Sequence, residues 1–228
     1  MPTRTDGSAR SRPAARLRAD ASRNRERIVD AAREAIVEFG PEVPLDEVAK
    51  RAGVGNATLY RHFADRTELI RQVTLAVMAR AAQRAEDALA EEPDAFSALR
   101  RFVFEAVDER IGALCPMISE AFDRKDPEVA AQTQRLEDAV NAIVDSAQRS
   151  GQLRCDIGYG DLMVALAQLA RPLPGTGCAG FVPYAHRHLQ LFLDGLRAPA
   201  RSVLRGAPAT LEGLQSCHKQ FASHTVGL

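Results

Sequence analysis

The sequence predicts an all-α protein: an N-terminal three-helix head followed by a larger helical bundle. Three observations predict it. Apolar residues recur at three- and four-residue intervals along most of the chain. The breaks between these stretches carry Gly or Pro: Gly40-Pro41, Gly53, Pro93, Pro127 and Gly151. No run of alternating β-branched residues reads as a strand, and the chain has no Trp. With 228 residues, 46% of them hydrophobic, it is long enough to bury a core without disulfide staples.

Residues 1–20 hold Pro2, Gly7, Ser8 and Pro13 without apolar periodicity, and read as a disordered basic arm. Ile28, Ala31, Ala32, Ala35, Ile36 and Phe39 then mark one face of a first helix, with Ser22 as its cap and Gly40-Pro41 as its end. Pro44 opens a second, short helix with Leu45, Val48, Ala49 and Ala52 inward, and Gly53 stops it. A third runs from about Asn56 to Phe63 with Leu59 and Phe63 inward. A long helix starts near Arg66, buries Leu69, Ile70, Val73 and Val77, and ends at Glu91-Glu92-Pro93.

Helices are expected next over Ala95–Ala113, Cys115–Phe122, Glu128–Ser150, Gly160–Ala170 and Pro183–Leu196. A last one is expected over Thr210–Phe221, in a loosely attached tail behind Pro199, Gly206 and Pro208. The domain plan is therefore an arm (1–20), a head (21–66), a bundle (67–198) and a tail (199–228).

Charge is unevenly spread. The chain is neutral overall, but residues 1–75 carry +3 and the remainder −3, and residues 1–27 alone carry +5. A basic front suits contact with nucleic-acid phosphates, and a solvated tail would look the same. No apolar run is long enough for a membrane span. The first twenty residues lack the apolar stretch of a secretory signal. Cys115, Cys155, Cys178 and Cys217 form no C-x-x-C pair, which excludes a zinc ribbon and points to a reducing, cytoplasmic setting.

The segment from Leu45 to Phe63 carries the function. Two helices crossing steeply need a small residue at their contact, and Ala49 supplies it. The bend needs a residue that accepts positive φ, and Gly53 supplies it. Val48, Ala52, Val54 and Leu59 stand where the pair must pack on a third helix. This is the pattern of a helix-turn-helix. With Leu59 and Phe63 inward, Asn56, Ala57, Tyr60 and Arg61 are left on the open face, flanked by Thr58 and His62. Asn56 can pair with adenine, Ala57 can pack on a thymine methyl, and Arg61 can take guanine or phosphate.

Residues 24–72 resemble the DNA-binding domain of the TetR family of bacterial transcriptional regulators. The resemblance is carried by Arg27-Ile28, Ala31-Ala32, Phe39-Gly40, Val48-Ala49, Ala52-Gly53-Val54, the run Thr58-Leu59-Tyr60-Arg61-His62-Phe63, Arg66 and Leu69. It implies phosphate contacts for Thr58, Tyr60 and Arg66. Gly55 stands where the family often has Ser, and Pro44 where it often has Thr. Arg23, Arg25 and Arg27 are candidates for further backbone contacts or for a plain exposed face.

The resemblance makes the expected function that of a ligand-responsive repressor, bound to a palindromic operator in double-stranded DNA as a homodimer and released by a small organic effector. A helical ligand-binding protein and an effector-independent DNA binder are the alternatives. Leu162, Leu166, Leu169, Leu189, Phe192, Leu193 and Leu196 form two stripes suited to a four-helix dimer interface or to the chain's own core. Phe104, Met117, Phe122, Met163 and Tyr184 are candidate walls of an effector cavity.

No cofactor, metal or enzymatic activity is expected. Gly175-Thr-Gly-Cys-Ala-Gly180 matches a dinucleotide-binding pattern but follows no strand. His186 and His188, two apart on a helix, face different ways. No nucleophile–base–acid signature is present.

Overall fold

The computed structural model describes residues 11–40, 42–109, 126–171, 178–210 and 212–213. Among these, eight helices are present: α1 (Ser11–Phe39), α2 (Leu45–Ala52), α3 (Asn56–His62), α4 (Arg66–Glu91), α5 (Ala95–Asp108), α6 (Pro127–Arg149), α7 (Tyr159–Leu169) and α8 (Cys178–Leu196). No strand is present among the described residues, which hold one isolated bridge between Leu153 and Arg197. The chain divides into two compact units, Met1–Val73 and Thr74–Leu228. The first unit reaches beyond the expected boundary at residue 66 because the first turns of α4 belong to the head: Leu69 and Val73 are buried, and Arg25 of α1 donates to Gln72 Oε1 at 2.9 Å.

In the first unit, α1 begins at Ser11, eleven residues before Ser22. Residues 11–20 are thus helical rather than a disordered arm. The Ala- and Arg-rich run from Ala14 to Ala19 has high helix propensity, and Pro13 sits in the first turn, where its missing N–H leaves no bond unmade. Ile28, Ala32 and Ala35 are fully buried. Phe39 is not: it is the last helical residue, 56% exposed, with the Arg51 guanidinium 5.6 Å from its ring centre. Val48, Ala49 and Ala52 of α2 and Leu59 of α3 close the small core. Phe63, just past α3, is fully buried, which is worth about 1.5–3 kcal/mol.

In the second unit, Asp94 caps α5, accepting from the Ser97 backbone N–H at 2.9 Å and its hydroxyl at 2.7 Å. These bonds hold the Asp94 carboxyl below its ordinary range. Asp126 caps α6 in the same way, and Pro127 starts that helix. Gly151, at φ +69, ends it. One core unites Ala81, Ala82, Ala85 and Ala88 of α4 with Phe102, Ile143, Leu162, Leu189 and their neighbours on the later helices. Arg ladders lace its surface: Arg84 pairs with Glu105 and Glu109, and Arg135 with Glu86.

Three expectations change here. The last long helix starts at Cys178 and runs through Pro183. The tail is tied down as far as Ala209. Arg154, only 7% exposed, donates to the Asp156 carboxylate at 2.6 and 2.9 Å and to the carbonyls of Gly195 and Ser202. Gly160 N–H donates to the Ala209 carbonyl at 2.9 Å, and the Ala209 N–H donates to Asp161 at 3.1 Å. Third, the helix expected over Ala95–Ala113 closes at Asp108, with Glu109 as its C-cap. The helix expected over Cys115–Phe122 and most of the one expected over Thr210–Phe221 lie outside the described residues.

Candidate nucleic-acid interface

The geometry of the bend follows from Gly53. Its backbone sits at φ 64°, ψ 38°, the left-handed region that glycine enters without a steric penalty. The Gly53 N–H donates to the Lys50 carbonyl and the Val54 N–H to the Ala49 carbonyl, each at 3.0 Å. These two bonds satisfy the last carbonyls of α2 and turn the chain into α3. Arg27 of α1 donates to the carbonyl of Ala52, so the bend is also held from the first helix. Arg51 at the end of α2 donates to Glu38 at 2.6 Å, and this partner raises its pKa further.

Helix α3 has seven residues, too few to be stable alone. Its inner side is fixed by Leu59 and by Phe63, over whose ring the Arg25 guanidinium lies at 5.3 Å. Its outer side follows by rotation. Asn56, Ala57, Tyr60 and Arg61 are exposed, and Thr58 and His62 are half-buried. Tyr60, 53% exposed, is a large aromatic ring left in solvent. Arg61 donates to the Thr58 hydroxyl at 3.3 Å. The structure thus brings six of the expected DNA-contact residues onto one helix.

Arg66 is placed differently. It is half-buried at the start of α4 and donates to the Val43 carbonyl at 2.8 Å. It therefore fastens the α1–α2 link besides carrying charge near the interface. One residue that sequence reasoning passed over also acts here: Asp46 accepts a 2.8 Å bond from the Asn56 amide. Arg27, expected at the DNA backbone or on a plain exposed face, holds the bend instead. Only the spacing of Arg27 from the turn could have hinted at its role, and nothing in the sequence marks Asp46.

The remaining candidates fall in the second unit. Leu162, Leu166, Leu189, Leu193 and Leu196 are buried within a single chain, and Leu169 and Phe192 pack partly buried against the same core. That burial places the first five in the chain's own core. Their helices expose a different set: Val164 on α7, and Tyr184, His188 and Leu191 along one side of α8. Of the candidate cavity residues, Phe104 and Met163 pack partly buried against the core, with the Phe104 ring 5.2 Å from that of His186. Tyr184 is 62% exposed. Met117 and Phe122 lie outside the described residues, as do Gly175 and Gly177 of the glycine pattern. Among the described residues no three His, Cys, Asp or Glu side chains gather to hold a metal ion, and no helix is long and apolar enough to cross a membrane.

A helix-turn-helix head with an exposed polar reading face, joined in one chain to an all-helical second unit, defines a DNA-binding regulator. Comparison with known proteins agrees. Residues 28–73 match the sequence profile of the bacterial regulatory proteins, tetR family. Residues 92–198 match that of the SbtR-like transcriptional regulator C-terminal domain. The structure superposes on a TetR transcriptional regulator of Streptomyces coelicolor with a TM-score of 0.59 and 32% identity, covering 77% of this chain and 99% of that one. LfrR of Mycobacterium smegmatis, solved in complex with proflavine, is 25% identical with a TM-score of 0.59, over 81% and 99% of the two chains. An HTH-type transcriptional regulator of Staphylococcus aureus is 43% identical over 54 residues, which are 23% of this chain and 29% of that relative. The chain belongs to the TetR family of transcriptional regulators, and it is a DNA-binding protein.

Proposed function

We propose that the protein is a repressor that binds a palindromic operator as a homodimer and leaves it when a small organic effector binds the second unit. The observation that carries the reading is the division of α3 into a buried side, Leu59 with Phe63 behind it, and an exposed side of Asn56, Ala57, Tyr60 and Arg61. An exposed face of this kind fits the major groove, with Asn56 and Ala57 at base edges and Thr58, Tyr60, Arg61, His62 and Arg66 toward phosphates.

One seven-residue helix reads too few base pairs for tight specificity, so two copies are needed. The apolar stripe of Tyr184 and Leu191 on α8, with Val164 on α7, supplies a surface for the second copy. The effector reading is supported by Phe104 and Met163 on the bundle core and by the likeness to LfrR, whose complex contains proflavine. An effector that prefers one arrangement of the dimer shifts the population of heads able to span two half-sites.

The test begins with selection of bound sequences from a random duplex pool by the full-length protein. Enrichment of an inverted repeat, binding that weakens steeply with salt, and release by proflavine or another planar organic compound are expected. Enrichment of no sequence would overturn the operator reading. Release by none of a broad panel of such compounds would overturn the effector reading.

A further inference from the structure

The observation is the bond between Asn56, the first residue of α3, and Asp46, the second residue of α2: Asn56 Nδ2 donates to Asp46 Oδ1 at 2.8 Å. Both side chains are exposed. Gly55, at the N-cap of α3, offers no side-chain bond of its own, so Asp46 is the group that orients the amide at this end of the helix.

A carboxylate can only accept. The Asn56 amide must therefore turn its nitrogen toward Asp46 and its oxygen away. A primary amide has one N–H on the same side as its oxygen and one on the opposite side. Recognition of adenine uses the oxygen, accepting from N6–H, together with the N–H beside it, donating to N7. The opposite N–H has no part in that contact and is available to Asp46.

We propose that Asp46 is a specificity-determining positioning residue: it grips the Asn56 amide by the N–H that does not read DNA and leaves the adenine-reading edge facing the groove. The proposal rests on Asn56 reading a base. It gives a carboxylate a reason to stand beside a DNA-reading helix, where its charge opposes the phosphates. Asp46 weakens attraction to every duplex and sharpens the choice among them.

The experiment uses full-length protein and the duplex selected from the random pool. Dissociation constants are measured by fluorescence anisotropy for that duplex and for duplexes with each A·T pair replaced in turn. Asn56→Ala locates the position it reads, where the wild-type protein is expected to discriminate by about 5- to 100-fold. Asp46→Ala is expected to reduce discrimination there by about 2- to 10-fold, the cost of an amide no longer held in one rotamer. Asp46→Asn, whose amide oxygen can still accept, is expected to keep it. Both Asp46 variants are expected to bind every duplex more tightly at low salt. In an Asn56→Ala background, Asp46→Ala should not change discrimination further.

Discrimination retained in Asp46→Ala while Asn56→Ala relaxes it would overturn the role of Asp46 alone. Discrimination unchanged in Asn56→Ala at every position would overturn the base-reading role of Asn56, and the proposal with it. Equal loss of binding to all duplexes in both Asp46 variants would show Asp46 to be merely structural.

Discussion

Replacing Gly53 by Ala tests the bend from which the interface is built. Two penalties can be worked out. An L-residue at φ +64° costs about 1–2 kcal/mol in the left-handed region. A Cβ at this position would also lie 2.8 Å from Arg27 Nη2, forcing that guanidinium off the Ala52 carbonyl. A hydrogen bond from a charged group contributes about 1.5–3 kcal/mol. Loss of chain freedom in the unfolded state returns about 0.4–1 kcal/mol. The net expectation is destabilisation of the head by about 2–4 kcal/mol, with melting lowered by about 4–8 °C per kcal/mol for a unit of this size. Calorimetry of the full chain measures it. The control is a double-mutant cycle with Arg27→Ala. In that background there is no guanidinium to displace, so Gly53→Ala should cost only the backbone strain less the same unfolded-state return, at most about 1.5 kcal/mol. Equal costs in both backgrounds would refute the contact between the added methyl and Arg27. A cost near zero in the wild-type background would refute the left-handed bend.

Four further outcomes follow from the contacts. Gly160→Ala places a methyl 2.4 Å from the Ala209 carbonyl oxygen; it should detach residues 208–209 from the start of α7, seen as faster amide exchange of Gly160 and Ala209. Asp156 is held at a pKa of about 2 by its hydrogen bonds from Arg154. Because its folded value lies below the ordinary one near ~3.9, its contribution is complete above that value and is lost as pH falls toward about 2. Protection of the Leu204 amide, which donates to Asp156, taken relative to its intrinsic exchange rate at each pH, should fall across that window, and Asp156→Asn should remove that fall. Leu191→Glu, at a 62% exposed position, should leave the melting of a single chain nearly unchanged while sedimentation shows loss of the dimer. Arg66→Ala should weaken DNA binding and also lower stability by about 1 kcal/mol or more, through the lost bond to Val43; unchanged melting would leave only the charge role.

Much of this was readable from residue pattern, and the reason is local. Ala49, Gly53, Leu59 and Phe63 are each dictated by a single steric or burial requirement within twenty residues of chain, so the sequence displays the requirement directly. The start of α1 was not readable, because Pro13 and the charged run after it look like disorder unless their helix propensity outweighs the absent apolar stripe. The strapped tail was hidden for a different reason. Arg154, Asp161 and Gly160 hold it through backbone carbonyls and N–H groups of Ser202 and Ala209, and backbone groups leave no mark in a residue pattern. The stripes of α7 and α8 show a third limit. Periodicity reports that Leu162 and Leu189 face something apolar, and it is silent on whether that is their own chain or another. For these two leucines the answer is their burial within a single chain.

The small size of α3 explains how its duties are divided. Seven residues make two turns, and two turns cannot both hold themselves in place and read DNA. Leu59 and Phe63 use the inner side for attachment. The bonds that fix the helix at its start come from outside it: the Gly53 N–H to the Lys50 carbonyl and Arg27 to the Ala52 carbonyl. Each of these anchors lies in α1, α2 or the bend, so the outer positions of α3 can change without loosening the helix. Asn56, Ala57, Tyr60 and Arg61 are thereby free to vary with the DNA that the proposed contacts would read, while Gly53, Leu59 and Phe63 are bound to the fold. A scan of substitutions across α3 should therefore separate into two classes by side of the helix, one changing which duplex is bound and the other changing whether the head folds.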